Sequence, residues 1–338
     1  MKTRSFLSPT LLALIAIALW ATLALLGLSL KHIPPFLLTG IALLIGSLLS
    51  WPFYKEWKVS FSALVLGIYG LFGFHFLLFI ALRYAPPVEA NLVNYLWPLG
   101  IVVMAPLFLP HTRLTSIHVL AACMGFAGAA MAILGADVLK DGWQGIVAKG
   151  FAWGYLPALG SAFIWASYSL MSKRLADEGR GFPTAAIGLF GLVSGALSLL
   201  CHVLLEPSTT ISHKDWVLLV LMGLGPLGLA FYVWDAALKR GDARQIGILS
   251  YITPLASTVL LLIFTGRHFE WHIAVATVLI LGAAMLGSIE LLYSLILQNV
   301  FTVRASLIPH QNDALCLRVV WQKPCYQWLA WLGFHRHE

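Results

Sequence analysis

The chain has 338 residues, 60% of them hydrophobic and 10% charged, with a mean hydropathy of +0.87. Soluble domains carry roughly 25% charged residues, so this composition excludes that class and points to a polytopic membrane protein. The formal net charge of +7 is scattered over short loops, as membrane topology demands, and does not call for a nucleic-acid partner.

A transmembrane helix needs about 20 apolar residues, so the sequence predicts an all-α integral membrane protein with ten transmembrane helices. Behind the basic start, Lys2 and Arg4, an apolar run covers 9–31; with no small-residue cleavage signal after it, the expectation is an uncleaved first span. Pro34-Pro35 opens the second span at 34–53, and Lys55-Glu56-Trp57-Lys58 closes it. The third, 61–83, carries Gly67, Gly70 and Gly73 as a packing stripe, then His75 among Phe74, Phe76 and Phe79. Pro86-Pro87 starts the fourth at 86–109, and His111-Thr112-Arg113 separates it from the fifth at 115–136. The remaining spans are 155–174, 183–205, 215–238, 243–265 and 271–294, with Glu290 near the end of the last reaching the interface.

Segment 137–154, with Asp137, Lys140, Asp141 and Trp143, reads as an external, partly interfacial linker. Segment 295–338 is broken by Arg304, Pro309, Asp313, Arg318 and Pro324, and reads as a cytoplasmic tail that does not span. Cys123 and Cys201 read as small core residues, and the spacing of Cys316, Cys325, His335 and His337 fits no common metal site, so no metal is expected. With the N-terminus inside, the inner loops hold Lys2, Arg4, Lys55, Lys58, Arg113, Lys173, Arg174, Arg180, Lys239, Arg240 and Arg244. The outer loops hold fewer, Lys31, Arg83, Lys140, Lys149, Lys214 and Arg267, which favours both termini in the cytoplasm.

An internal repeat gives the spans an order. Ile17–Leu25 aligns with Ala162–Leu170 through Trp20-Ala21 and Trp165-Ala166. Ala81-Leu82-Arg83 aligns with Ala237-Leu238-Lys239, and Tyr95-Leu96-Trp97-Pro98-Leu99 with Tyr251-Ile252-Thr253-Pro254-Leu255. Five spans per copy is an odd number, so the copies, 1–136 and 155–294, thread the bilayer in opposite senses, as in many secondary transporters.

Over roughly 10–295 the chain resembles the drug/metabolite transporter superfamily in its ten-helix EamA-type branch. The duplicated Trp-Ala and the proline-bearing fourth and ninth spans carry the resemblance. Asn94-Tyr95-Leu96-Trp97-Pro98, Phe163–Tyr168 and Gly228–Asp235 look like the aromatic amino-acid exporters of that branch. The resemblance implies a bacterial inner-membrane exporter whose central cavity is lined by spans 1–4 and 6–9, with spans 5 and 10 peripheral. It implies nothing for the tail.

Polar groups inside spans face a cavity or a partner helix. Asn91, Asn94 and Pro98 share a face of the fourth span, and Pro98 frees a carbonyl near Asn94. Asn91, Asn94, Tyr95 and Trp97 are therefore candidates for substrate contact, with helix–helix hydrogen bonding as the alternative for the asparagines. His75 either meets substrate carboxylate, titrates, or bonds a neighbouring helix. Trp165 and Tyr168 share a face of the sixth span, with Trp20 corresponding on the first, and suit an aromatic or amphipathic substrate. Tyr232, Trp234 and Tyr251 complete the candidate set. Pro98 and Pro254 are gating candidates; Asp235 either pairs with Lys239 four residues on or takes part in coupling.

The function expected is export of amino acids, aromatic ones first, by alternating access, with other small metabolites or amphipathic drugs as the alternative substrates. An intramembrane enzyme would need a nucleophile–base pair or clustered ligands, and no such motif stands in the sequence. No Gly-x-x-x-x-Gly-Lys-Ser/Thr loop is present, so no nucleotide cofactor is expected; proton coupling, facilitated diffusion and oligomeric state stay open.

Overall fold

A computed structural model of the chain describes residues 7–110, 112–148, 152–266 and 270–287. The expected tail 295–338, with its cysteines and histidines, lies outside the described residues, as do 149–151 of the linker, Arg267, Glu290 and the end of the tenth span.

The described chain is helical throughout. The first span is broken at Thr22 into α1 (Pro9–Ala21) and α2 (Leu23–Ser29). Then follow α3 (Pro35–Ser47), α4 (Phe61–Ile68), α5 (Phe74–Tyr84), α6 (Pro87–Asn94), α7 (Trp97–Phe108) and α8 (Ser116–Ala148). The second half holds α9 (Tyr155–Asp177), α10 (Ile187–Leu205), α11 (His213–Leu224), α12 (Ala230–Arg240), α13 (Ala243–Leu249), α14 (Ile252–Thr265) and α15 (Trp271–Gly287). The starts are encoded locally. Pro9, Pro35 and Pro87 occupy the first turn, where a missing N–H costs nothing. The Ser8, Ser60 and Ser212 hydroxyls accept from the backbone N–H of Leu11, Ala63 and Asp215.

Among the described residues eight helical segments are long and apolar enough to cross a bilayer, and α15 is a shorter apolar helix. The expected sixth span, α9, is 23 residues long but falls outside those eight. Its serines lower its hydropathy, and the structure accounts for them. Ser161 donates to Asn94, Ser172 to Asp235, Ser167 pairs with the Tyr69 hydroxyl and Ser169 accepts from Trp234. This helix runs among other helices, where serine finds partners. Residues 137–148, expected as linker, instead continue α8 as far as Ala148; no proline interrupts them.

The interruptions recur at matching places. A π-turn, Tyr69–Gly73, separates α4 from α5, and another, Gly225–Leu229, separates α11 from α12. A break at Tyr95-Leu96 parts α6 from α7, and one at Ser250-Tyr251 parts α13 from α14. The π-turns are related by the same residue offset that relates Ala81 to Ala237, and the breaks by one residue less.

Close backbone approach sets the packing. A Cβ on Gly46 of α3 would lie 2.8 Å from the Gly228 Cα, and one on Gly67 or Gly70 would overlap the ring of Phe190 or Tyr168. The expected glycine stripe of the third span is thus a packing surface. Helices α8 and α15 pack on each other to one side, around Ala129, Ala132, Ile273, Ala276 and Ile280. Large apolar side chains such as Leu107, Val203 and Val278 stay exposed on the outer face, which suits contact with lipid chains.

Candidate functional site

One end of the bundle carries the basic ends. Arg240 donates to the Leu7 carbonyl, Arg244 to that of Arg113, and Lys239 to that of Phe182. At the other end His32 bonds Asp215 at 3.1 Å, and Glu206 accepts from the N–H groups of Phe36 and Leu37 at the start of α3.

Between them lies a cavity of about 530 Å³. Its rim reaches exposed Lys31 and Pro35 at the His32 end; α2, α3 and α5 form its flanks. Its floor is aromatic. Trp20 stands 6.3 Å from Trp97 and 5.8 Å from Trp165 between ring centres, and Trp97 and Trp165 are 6.4 Å apart. Phe231 packs against Trp20 and Trp165 at 6.1 and 5.6 Å. Edge-to-face contacts of this kind hold aromatic rings rigidly, leaving faces for a further ring.

The polar groups are few. Asn91, Asn94, Tyr95, Thr39, Thr253 and Ser257 line the wall. The Asn94 side-chain oxygen accepts from Ser161 at 2.8 Å, so it serves the helix–helix bond and the wall together. His75 also lines the cavity, with Nδ1 2.6 Å from the carbonyl of Leu71, one turn back. A carbonyl only accepts, so Nδ1 carries the proton and Nε2 of the neutral ring is an acceptor. In the neutral ring that arrangement suits an ammonium or a hydroxyl.

Below the floor the bundle is closed. Trp234 sits 5.1 Å from Trp20 and 5.5 Å from Trp97, donating to Ser169. Tyr168 packs behind Trp165 at 5.5 Å. Deeper still, Asp235 meets Lys239 at 2.6 Å, and Ser172 and Thr184 donate to the same carboxylate. The ion pair expected from the spacing is therefore present.

Of the sequence candidates, Trp20, His75, Asn91, Asn94, Tyr95, Trp97 and Trp165 come together on one cavity wall. Tyr168 and Trp234 lie behind it. Tyr232 is turned away, its hydroxyl donating to the Gly46 carbonyl at 3.1 Å, and the Tyr251 hydroxyl accepts from the Leu99 N–H at 3.1 Å. Pro98 and Pro254 stand in the first turns of α7 and α14, just past the breaks. The sequence reading missed Thr39, Thr253, Ser257, Phe231 and Lys31 as lining residues. The repeat held a signal for two of them, since Phe231 aligns with His75 and Thr253 with Trp97.

Comparison with known proteins places the chain in a family. The pattern of the EamA-like transporter family matches residues 7–134 and again 152–289. The chain is 43% identical over 289 residues to the aromatic amino acid exporter YddG of Ancylobacter novellus, covering 83% of this chain and 97% of that protein. It is 26% identical over 293 residues to the aromatic amino acid exporter YddG of Escherichia coli, covering 82% and 95%. A solved crystal structure matches with a TM-score of 0.74 at 40% identity, covering 83% of this chain and 97% of the other. The chain belongs to the EamA-like transporter family.

Proposed function

We propose that this protein exports amino acids, aromatic ones among them, across a bacterial inner membrane by alternating access between two inverted five-helix halves. The observation that carries the substrate is the cavity floor, where Trp20, Trp97 and Trp165 form a rigid aromatic surface beside a few hydrogen-bonding groups. An aromatic amino acid matches that mixture: its ring stacks at the floor, and its zwitterion meets Asn91, the His75 acceptor and the Lys31 ammonium near the rim. The names of the relatives support the same substrate class.

Two matches to one family pattern support a duplicated chain, and the matching π-turns and breaks support two copies of one architecture. Helix contacts run in corresponding pairs. α1 packs on α12 as α9 packs on α5, while α3 packs on α10 and α8 on α15. Such pairing is what a pseudo-two-fold axis between the halves produces. The cavity then opens at the His32 end and is sealed at the basic end. The concentration of arginine and lysine at the sealed end supports a cytoplasmic location for it.

Reconstitution into proteoliposomes tests the reading. Counterflow of labelled phenylalanine, tyrosine and tryptophan above empty vesicles is expected; flux equal to empty vesicles for all three contradicts it. Repeating the measurement with an imposed pH gradient separates proton coupling from facilitated diffusion.

A further inference from the structure

The two halves depart from one another at one tryptophan of the cavity floor. Trp20 of the first half is matched by Trp165 of the second, and all four residues of the pairs Trp20/Trp165 and Trp97/Thr253 line the cavity. In the fourth span Tyr95-Leu96-Trp97-Pro98 puts an indole on the floor; in the ninth, Tyr251-Ile252-Thr253-Pro254 puts a threonine at the same place. The backbone around both is alike, with a break just before and a proline just after. The floor therefore carries three tryptophans at the four places that the two aligned pairs provide.

The threonine is unusual in a second respect. Thr253 is 5% exposed, and its hydroxyl has no hydrogen-bond partner among the described residues. A threonine in a membrane helix ordinarily bonds the carbonyl one turn back, as Thr258 does to Pro254 at 2.8 Å. A buried hydroxyl left without a partner is costly, and a ligand that supplies one recovers that cost. Rotation about one side-chain torsion exchanges the positions of its hydroxyl and methyl, so the group can reach the cavity.

We propose that the substrate's aromatic ring occupies the place of the absent fourth indole, opposite Trp97 and over Thr253, with the Thr253 hydroxyl bonding the polar edge of the ring. The inference rests on the reading of the protein as an aromatic amino-acid exporter and adds where the ring goes and how ring types are told apart. A phenol or an indole has a polar edge to offer; a phenyl ring has none. Thr253 thus favours tyrosine and tryptophan over phenylalanine.

Thr253→Val keeps shape and removes the hydroxyl, whereas Thr253→Trp fills the place. Both are compared with the parent in proteoliposomes carrying matched amounts of protein, with labelled phenylalanine, tyrosine and tryptophan. For Thr253→Val the tyrosine-to-phenylalanine and tryptophan-to-phenylalanine flux ratios fall about fivefold, the worth of one hydrogen bond. For Thr253→Trp all three fluxes are lost while thermal melting in detergent stays near the parent's. Parental ratios in Thr253→Val, or parental flux through a folded Thr253→Trp, would overturn the proposal. A parent that moves none of the three overturns the underlying reading instead.

Discussion

The indole N–H of Trp20 donates to the carbonyl of Pro226, 3.1 Å away and buried between the two halves of the chain. Pro226 lies in the π-turn Gly225–Leu229, where the helical ladder is loosened and a carbonyl is open to a side-chain donor. Trp20→Phe keeps an aromatic ring and deletes this bond, at a cost of about 1 kcal/mol. Trp165, its counterpart in the repeat, makes no such bond among the described residues. Thermal melting in detergent is expected to fall for Trp20→Phe more than for Trp165→Phe; equal melting of the two contradicts this assignment.

The closed end depends on a buried charge pair. Asp235 and Lys239 are 3% and 12% exposed in their side chains, and Lys239 also lies 3.9 Å above the Phe182 ring. Asp235→Asn leaves the ammonium buried without its counter-charge, a change that costs about 3–5 kcal/mol where one partner of a buried pair is removed. Adding Lys239→Met removes the stranded charge, so the double variant should recover much of the loss. Chemical unfolding of both variants checks this, and a double variant no more stable than Asp235→Asn would contradict it.

Two glycines make opposite predictions. A Cβ at Gly46 would stand 2.8 Å from the Gly228 Cα and 2.9 Å from the carbonyl oxygens of Gly223 and Leu227, all backbone atoms. Backbone gives way poorly, so Gly46→Ala should destabilise by about 1–3 kcal/mol. Gly27 has open space around it, and Gly27→Ala should be neutral or stabilising by up to about 1 kcal/mol through helix propensity. Parallel melting curves of the two variants decide it.

Much of this arrangement was legible in the sequence, because bulk hydrophobicity, proline punctuation and the Trp-Ala repeat are strong and local. The floor residues Trp20, Trp97 and Trp165 stood out for the same reason. What failed were inferences about which way a face points. Helical spacing says that Trp165 and Tyr168 lie near each other, not whether a cavity or a neighbouring helix is opposite, and Tyr168 faces Gly70. Tyr232 follows a π-turn whose extra residue rotates everything after it, so its hydroxyl reaches Gly46 instead of the cavity. Tyr251 aligns with Tyr95 in the repeat, yet its hydroxyl accepts from the Leu99 N–H beside the break in the fourth span. Polarity misled once as well: the serines of α9 depress its hydropathy although they are buried against neighbouring helices, opposite an exposed apolar face of Leu156, Leu159 and Phe163.

Flux through Trp97→Ala and Trp165→Ala bears most directly on the central claim that the aromatic floor is the substrate's resting place. Each substitution removes ring contacts worth roughly 0.5–1.5 kcal/mol beyond the buried area itself, enough for about a tenfold loss of aromatic amino-acid flux at low substrate concentration. With insertion matched to the parent in proteoliposomes, the account predicts that loss for both variants. Parental rates in both would place the transport path elsewhere.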